Sequence, residues 1–288
     1  MSTHEMTDHV RQPMGRATTG RIVVRSLIAS AGMMACAFAP GLLHLIPAYA
    51  QWMSVEHTGA EGTAQLLVLC VQFVIAPVAA LLLLGIALRI EKARWRDYFG
   101  RVGGARAGGV LLAATAAAAL VTFGGSVIAH LSGTDVGRPV PNTEGLPVIV
   151  MIVYGLARAF VLQGIQEEWW FRGFAFRGYE RRPWLVLGVT TVMFTLLHLA
   201  SQGGQTSTLE HVLYLVLPLG MGFWAGVERW CTGTVWGAVG VHGGIHTGLI
   251  APAMLGWSQG SAAWVIIGVA LCLAGGLRLA VSRPWRTG

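Results

Sequence analysis

The chain has 288 residues, of which 54% are hydrophobic and only 11% are charged, and its formal net charge at pH 7 is +7. Because a soluble domain of this size carries roughly a quarter charged residues, the composition excludes an ordinary soluble enzyme and a disordered chain. Apolar stretches of about 20 residues recur, and each is long enough to cross a bilayer as a helix. The sequence therefore predicts an all-α fold, a polytopic membrane helix bundle.

Eight apolar stretches are predicted as transmembrane helices, each bounded by polar residues, Gly or Pro. In chain order they cover residues 22–49, 64–90, 109–131, 146–170, 184–200, 211–227, 234–252 and 261–281. They divide the chain into four parts: a polar tail at 1–20, N-terminal transmembrane helices at 21–145, a core at 146–252, and a C-terminal helix with a basic tail at 253–288.

The first stretch ends near Ala48-Tyr49-Ala50, which is typical of a signal-peptidase site. The stretch is about 26 residues long, however, whereas the apolar region of a signal peptide has about 7–15 residues. We therefore expect it to remain as the first transmembrane helix.

The basic residues predict how the chain crosses the membrane. If the N-terminal tail is cytoplasmic, all but Arg138 and Arg158 of the 20 Lys and Arg residues lie on the inner side, as the positive-inside rule requires. Both termini are then cytoplasmic. No basic cluster is interleaved with exposed aromatic residues, so we expect no nucleic-acid partner. With no organellar targeting signature, a bacterial-type plasma membrane is the expected location.

Arg158 is the exception, because it lies within the fourth predicted span. An ionisable side chain inside a bilayer is costly and needs a partner or a function. It either extends to the membrane interface in a structural role, which we favour, or neutralises a buried carboxylate.

Adjacent carboxylates close the fourth span, at Glu167 and Glu168, followed by Arg172. Glu168 and Arg172 are four residues apart with the acid first, the favourable order for an ion pair on a helix. Glu167 lies about 100° around the helix and lacks that partner. A desolvated carboxylate of this kind suits a general base near neutral pH, although a charge pair facing the cytoplasm remains an alternative.

Histidines occur in two later spans. His198 follows Phe194 by one helical turn, and a lone intramembrane histidine is often only a hydrogen-bonded structural group. His242 and His246 also lie one turn apart, the spacing used for metal ligation or for a paired donor site, with a polar contact between helices as the alternative. Convergence of these residues with the glutamates would create a site that polarises water.

The three motifs resemble those of the CAAX protease and bacteriocin-processing family, the intramembrane glutamic endopeptidases. That family is defined by EExxxR, FxxxH and HxxxN motifs, with Asn or Asp at the last position. The matching segments here are 167–172, 194–198 and 242–246. The resemblance covers about residues 146–252 and implies that this part is the catalytic core of an endopeptidase.

The resemblance also implies a role for each matched residue. Glu167 would be the general base that takes a proton from water, and His198 would position that water. His242 and His246 would stabilise the oxyanion of the tetrahedral intermediate. Because the family has Asn or Asp where this chain has His246, its contribution depends on tautomer or charge, whereas an Asn amide donates a hydrogen bond at any pH.

Glu168 and Arg172 would orient the site. The reaction would be hydrolysis of a peptide bond in a membrane-associated or lipidated peptide or protein. No cofactor is expected; zinc is possible with these Glu and His side chains, but the resemblance favours a metal-independent site.

Straight spans raise a geometric difficulty. Glu167 would lie about 30 Å along its span, near the cytoplasmic end, whereas His198 would lie about 21 Å along the next span, nearer the outer side. A common site therefore requires either that residues 171–183 dip into the membrane and lower the next span, or that the fourth span begins later and continues beyond Arg172.

Two other functions compete with the endopeptidase. A non-catalytic membrane immunity or scaffold protein of the same fold would bind a peptide or partner without using Glu167 as a base. A proton- or ion-coupled transporter would need polar groups on both sides of the site, and the second and third spans offer almost none. For the aromatic residues at 169–171 the sequence favours an interfacial aromatic belt over a substrate groove.

Overall fold

A computed structural model describes residues 18–101, 103–133, 145–201, 204–257 and 260–286. The predicted tail falls mainly outside these ranges, as do Arg11, Arg16 and Arg138 of the charge argument. The helices are α1 (Thr19–Phe38), α2 (Pro47–Met53), α3 (Gly59–Phe73), α4 (Ile75–Ile90), α5 (Trp95–Phe99), α6 (Gly104–Leu131), α7 (Val148–Leu156), α8 (Gln166–Glu168), α9 (Pro183–Leu197), α10 (Thr208–Tyr214), α11 (Val216–Thr232), α12 (Val235–Met254) and α13 (Ser261–Ser282). The described residues form no β-strand, only an isolated antiparallel bridge between Gly100 and Thr234.

The predicted all-α, multi-pass helix bundle is confirmed. Seven helical runs within the described ranges are long and apolar enough to cross a membrane. They cover Thr19–Leu45, Gly59–Ile90, Gly104–Leu131, Val148–Phe174, Pro183–Ala200, Thr208–Thr232 and Ser261–Ser282. The eighth predicted span corresponds to α12, which has 20 residues but whose histidines and glycines lower its mean hydropathy. The side of the membrane on which the termini lie stays a prediction.

Helix α12 lies at the centre of the bundle and packs closely on α6. A Cβ atom added at Gly240, Gly244 or Gly248 would lie 2.5–2.6 Å from a backbone carbonyl oxygen of α6. Small residues at this four-residue spacing let two helix backbones approach in a membrane. The glycine face of α12 therefore holds this helix against α6, and its histidine face is turned toward the glutamates.

The aromatic residues beside the glutamates do not form an interfacial belt, so that prediction is wrong. Trp169, Trp170 and Phe171 are 8%, 3% and 0% exposed. The Trp170 indole N–H donates to the Cys36 sulfur over 3.4 Å, and the Phe171 ring meets the Phe194 ring at 5.3 Å. These rings pack inward because the helix that carries them is buried at this end.

Candidate active site

The carboxylates lie on one helical run, Val148–Phe174, which we call the glutamate helix. Two of its segments, Ala157–Ile165 and Trp169–Phe174, have π-helical geometry and flank the glutamates on either side. Such segments are rare and frequently occur at functional sites. The glutamate helix also packs tightly on α12, because a Cβ added at Gly243 would lie 2.1 Å from the Phe160 ring.

Glu168 is enclosed in a buried network. The predicted ion pair with Arg172 is present, with 3.1 Å between Arg172 Nη1 and Glu168 Oε2, and both side chains are fully buried. His242 Nδ1 lies 3.0 Å from Glu168 Oε1. A carboxylate paired with two cationic or donor groups is held in one orientation, so Glu168 ties the glutamate helix to α12.

Arg172 extends this network to α11. Its Nη2 donates to the Gly222 carbonyl oxygen over 2.6 Å, and a Cβ added at Gly222 would lie 3.1 Å from the same nitrogen. Arg229 Nε in turn donates to the Arg172 carbonyl oxygen over 2.9 Å. These contacts give Arg172 Nη2 and the Arg172 carbonyl oxygen partners, and both atoms would be costly to bury unpaired.

Glu167 has the opposite environment. Its side chain is 7% exposed, its Oε2 is buried without a hydrogen-bond partner, and no ion pair to it occurs among the described residues. The carboxylate instead lines two cavities. It is therefore close to Glu168 in the chain but available for chemistry.

The first of these, the histidine cavity, has a volume of about 260 Å³. It brings together polar side chains from four parts of the chain. Those side chains are Arg158, Gln163, Glu167, His198, Ser201, Tyr214, His242 and His246. All four predicted catalytic residues thus face one space.

The second, the methionine cavity, has a volume of about 250 Å³. It shares Gln163, Glu167, His198 and Ser201 with the histidine cavity, and the rest of its lining is apolar apart from Gln166. Its remaining lining includes Met33, Met34, Phe38, Leu162, Gln166 and Leu197. Glu167 and His198 therefore stand where a polar space and an apolar space meet.

The geometry around His198 fixes which ring nitrogen carries the proton. Its Nδ1 lies 2.9 Å from the Phe194 carbonyl oxygen, and because a carbonyl only accepts, Nδ1–H donates. The Nε2 atom of a neutral His198 is then an acceptor. The Phe194 ring packs against both His198 and His242, at centroid distances of 4.7 and 6.2 Å, so this residue holds two of the histidines in place.

The second histidine pair is also brought together. The rings of His242 and His246 have their centroids 5.3 Å apart and are inclined by 30°. Because His242 Nδ1 faces Glu168, its Nε2 is the atom left for other contacts. Among the described residues, no three His, Cys, Asp or Glu side chains are grouped so that they could hold a metal ion.

The expected difference in depth between Glu167 and His198 is resolved by the position at which the glutamate helix ends. The glutamate helix does not stop at residue 170 but continues through Arg172 to Phe174, one of the two solutions that the sequence allowed. Glu167 therefore lies seven residues, about 10 Å, before its end. His198 lies at the end of α9 and lines the same cavities.

A second ionic cluster anchors the end of the glutamate helix. Arg25 of α1 donates to the Phe174 carbonyl oxygen and pairs with Glu91, which also pairs with Arg177 and accepts from the Tyr98 hydroxyl. Burial by itself raises the pKa of Glu91, but the charge of Arg25 and the hydrogen bonds outweigh burial and lower that pKa below its usual value.

Sequence reasoning did not assign several polar residues of the cavity lining to the site. Gln163 lies one helical turn before Glu167, so helical spacing could have indicated it. Tyr214, whose ring lies 6.5 Å from that of His198, carries no motif. Arg158, for which we favoured a structural role, lines the histidine cavity and forms no ion pair with a carboxylate within the described part of the chain.

Comparison with known proteins agrees with the resemblance seen in the motifs. Residues 149–248 match a family model described as type II CAAX prenyl endopeptidase Rce1-like. Searches of curated proteins and of solved structures found no match. The matched segment contains all six predicted site residues and supports a CAAX-type intramembrane protease.

Proposed function

We propose that this chain is an intramembrane endopeptidase in which Glu167 activates a water molecule. The observation that carries the proposal is the contrast between neighbouring glutamates: Glu168 is closed in an ion network, whereas Glu167 is unpaired and lines a cavity with three histidines. A structural charge pair would need no such cavity.

The geometry supports a sequence of proton transfers in which the proton taken from water ends on the leaving amine. A water between Glu167 and His198 can donate one hydrogen bond to the carboxylate and the other to Nε2, which leaves an oxygen lone pair for attack on the peptide carbonyl. Glu167 takes the proton as the bond forms. The protonated Glu167 then gives that proton to the leaving amine as the C–N bond breaks.

The oxyanion of the tetrahedral intermediate needs hydrogen-bond donors on the far side of the carbonyl. His242 Nε2 and His246 supply them in this proposal. Because His242 Nδ1 already faces Glu168, an Nε2–H donor requires the imidazolium form. This gives the buried Glu168–Arg172 pair an orienting role rather than a role in bond breaking.

The proposed substrate is a membrane-associated or lipidated peptide or protein. The methionine cavity suits an apolar side chain or lipid, and it adjoins the proposed base. The proposal includes no metal, and its setting is a bacterial-type plasma membrane with both termini cytoplasmic. The boundaries of the four parts of the chain stay a prediction.

Cleavage of quenched-fluorescent farnesylated peptides by the detergent-purified protein tests the proposal. We expect cleavage by the wild type, its loss in Glu167→Gln, and no effect of a chelator. Glu56→Gln, at an exposed glutamate far from the site, is the matched control. Activity abolished by chelator and restored by zinc would indicate a metallopeptidase, and a Glu167→Gln variant that keeps the cellular phenotype would indicate a scaffold.

A further inference from the structure

Arg158 is the charged residue that the proposed chemistry leaves unused. It lies ten residues, about 15 Å, after Val148 and sixteen residues, about 24 Å, before Phe174, so it is inside the glutamate helix rather than at either end. A guanidinium at this depth is costly unless it faces water or an anion. Its side chain is exposed and also lines the histidine cavity, so the guanidinium can face that space.

The described lining of the cavity gives Arg158 no protein anion as a partner. Glu167 is the single carboxylate among these described lining residues, and no ion pair or hydrogen bond from Arg158 to it occurs among them. Arg158 is also the only lysine or arginine on the described lining of this cavity. The histidine cavity thus has a proposed base at one place and an unpaired cation at another.

We propose that Arg158 is a specificity-determining residue that binds a carboxylate of the substrate in the histidine cavity. A guanidinium forms paired hydrogen bonds with a planar anion, and the anionic groups of a peptide are carboxylates, either a free C-terminus or an acidic side chain. The inference rests on the proposed function, since it assigns the substrate of that same site.

The two cavities give this substrate a direction. Its apolar part occupies the methionine cavity, the cleaved bond lies at Glu167 and His198, and the carboxylate lies in the histidine cavity. Arg158 and Glu167 are nine positions apart, which is at most about 13 Å along the helix because most of this segment is π-helical, and so at most about four residues of extended peptide. The carboxylate therefore lies within about four residues of the cleaved bond.

Three quenched-fluorescent farnesylated peptides of otherwise identical sequence test this inference. The first ends in a free carboxylate three residues after the farnesylated cysteine, the second in an amide, and the third in an amide after a terminal Asp. Each is used with the wild type, Arg158→Gln, Arg158→Lys and, as a matched control, Arg21→Gln, which alters an exposed arginine at the start of α1.

We expect the wild type to prefer the acid to the amide. Arg158→Gln should lower kcat/KM for the acid on the order of 10- to 100-fold, mainly through KM, and leave the amide unchanged. Arg158→Lys should recover part of this loss, and Arg21→Gln should behave as the wild type. Full activity on the Asp peptide would assign the carboxylate to a side chain, and its loss would assign it to the C-terminus.

Equal cleavage of acid and amide by the wild type, or an equal loss for both in Arg158→Gln, would overturn the inference while leaving the endopeptidase in place. For the case in which no peptide is cleaved, fluorescence anisotropy of the same peptides measures their binding. If nothing is cleaved, the proposed function fails; acid-selective binding that Arg158→Gln removes would still support the carboxylate site, and unselective binding would overturn it.

Discussion

Glu167 and Glu168 are neighbours in the chain, yet they occupy opposite environments. Glu168 is paired with Arg172 and His242 in a network from which solvent is excluded, whereas Glu167 has no such partner and lines two cavities. A carboxylate held by an arginine and a histidine positions the elements that it joins, and one without an ion pair beside a cavity can exchange a proton. The comparison therefore separates a supporting side of the glutamate helix from the side that we propose to react.

The same division holds on α12. Its glycine face packs on the backbone of α6, and its histidine face meets the glutamates. The supporting contacts are close because small residues let backbones approach, and that rigidity holds the histidines in register with the glutamate helix.

The largest effect expected from breaking this contrast is on catalysis. Glu167→Gln should lower kcat about 10²- to 10⁴-fold, because an amide cannot take the proton from water, while leaving the unfolding temperature close to that of the wild type. Peptide cleavage and thermal unfolding in detergent measure the two effects. A Glu167→Gln variant that cleaves normally would remove Glu167 from the chemistry.

Arg172→Met should act mainly on stability. Removal of one partner of a buried ion pair leaves an uncompensated charge at Glu168 and costs about 3–5 kcal/mol. Denaturant unfolding in mixed micelles checks this. The double variant Glu168→Gln/Arg172→Met should be more stable than Arg172→Met, since it removes the unpaired charge; an equally unstable double variant would show that the pair itself is not the cause.

A smaller effect is expected at the ionic cluster that anchors the end of the glutamate helix. The folded-state pKa of Glu91 lies below its ordinary value of 4.5, so its contribution is complete above about pH 4.5 and is lost as the pH falls through the folded-state pKa. Glu91→Gln should lower the Tm by a few degrees at pH 7, and this difference should shrink on acidification. A difference that is constant from pH 7 to pH 3 would contradict the assignment.

The smallest effect is expected where this chain departs from the family motif. His246→Asn should change kcat/KM by less than about tenfold, because an Asn amide also donates a hydrogen bond, and should make the activity less dependent on pH. His246→Ala should cost about 10²- to 10³-fold, as loss of an oxyanion donor does. Equal activity of the Ala and Asn variants would show that position 246 supplies no donor.

Much of this architecture could be predicted from the sequence. Apolar segments of sufficient length gave the spans to within a few residues, because each helix in lipid must satisfy its own backbone hydrogen bonds. The Glu168–Arg172 pair was predictable since it is local, four residues apart on one helix. The end of the fourth span was placed too early, because charged residues normally mark a membrane boundary, whereas here Arg172 is buried against α11.

The contacts between distant parts of the chain were decided by the tertiary structure alone. The motif resemblance implies a shared site, but the sequence does not show that His242 faces Glu168, 74 residues away, or that Arg229 donates to the Arg172 carbonyl oxygen, 57 residues away. Nor does it show that Arg158 and Tyr214 face the histidine cavity. Periodicity and hydropathy determine how each helix forms and which residues share a face. Which faces meet depends on how the helices pack, and that packing places one of the neighbouring glutamates in an ion network and the other on the walls of two cavities.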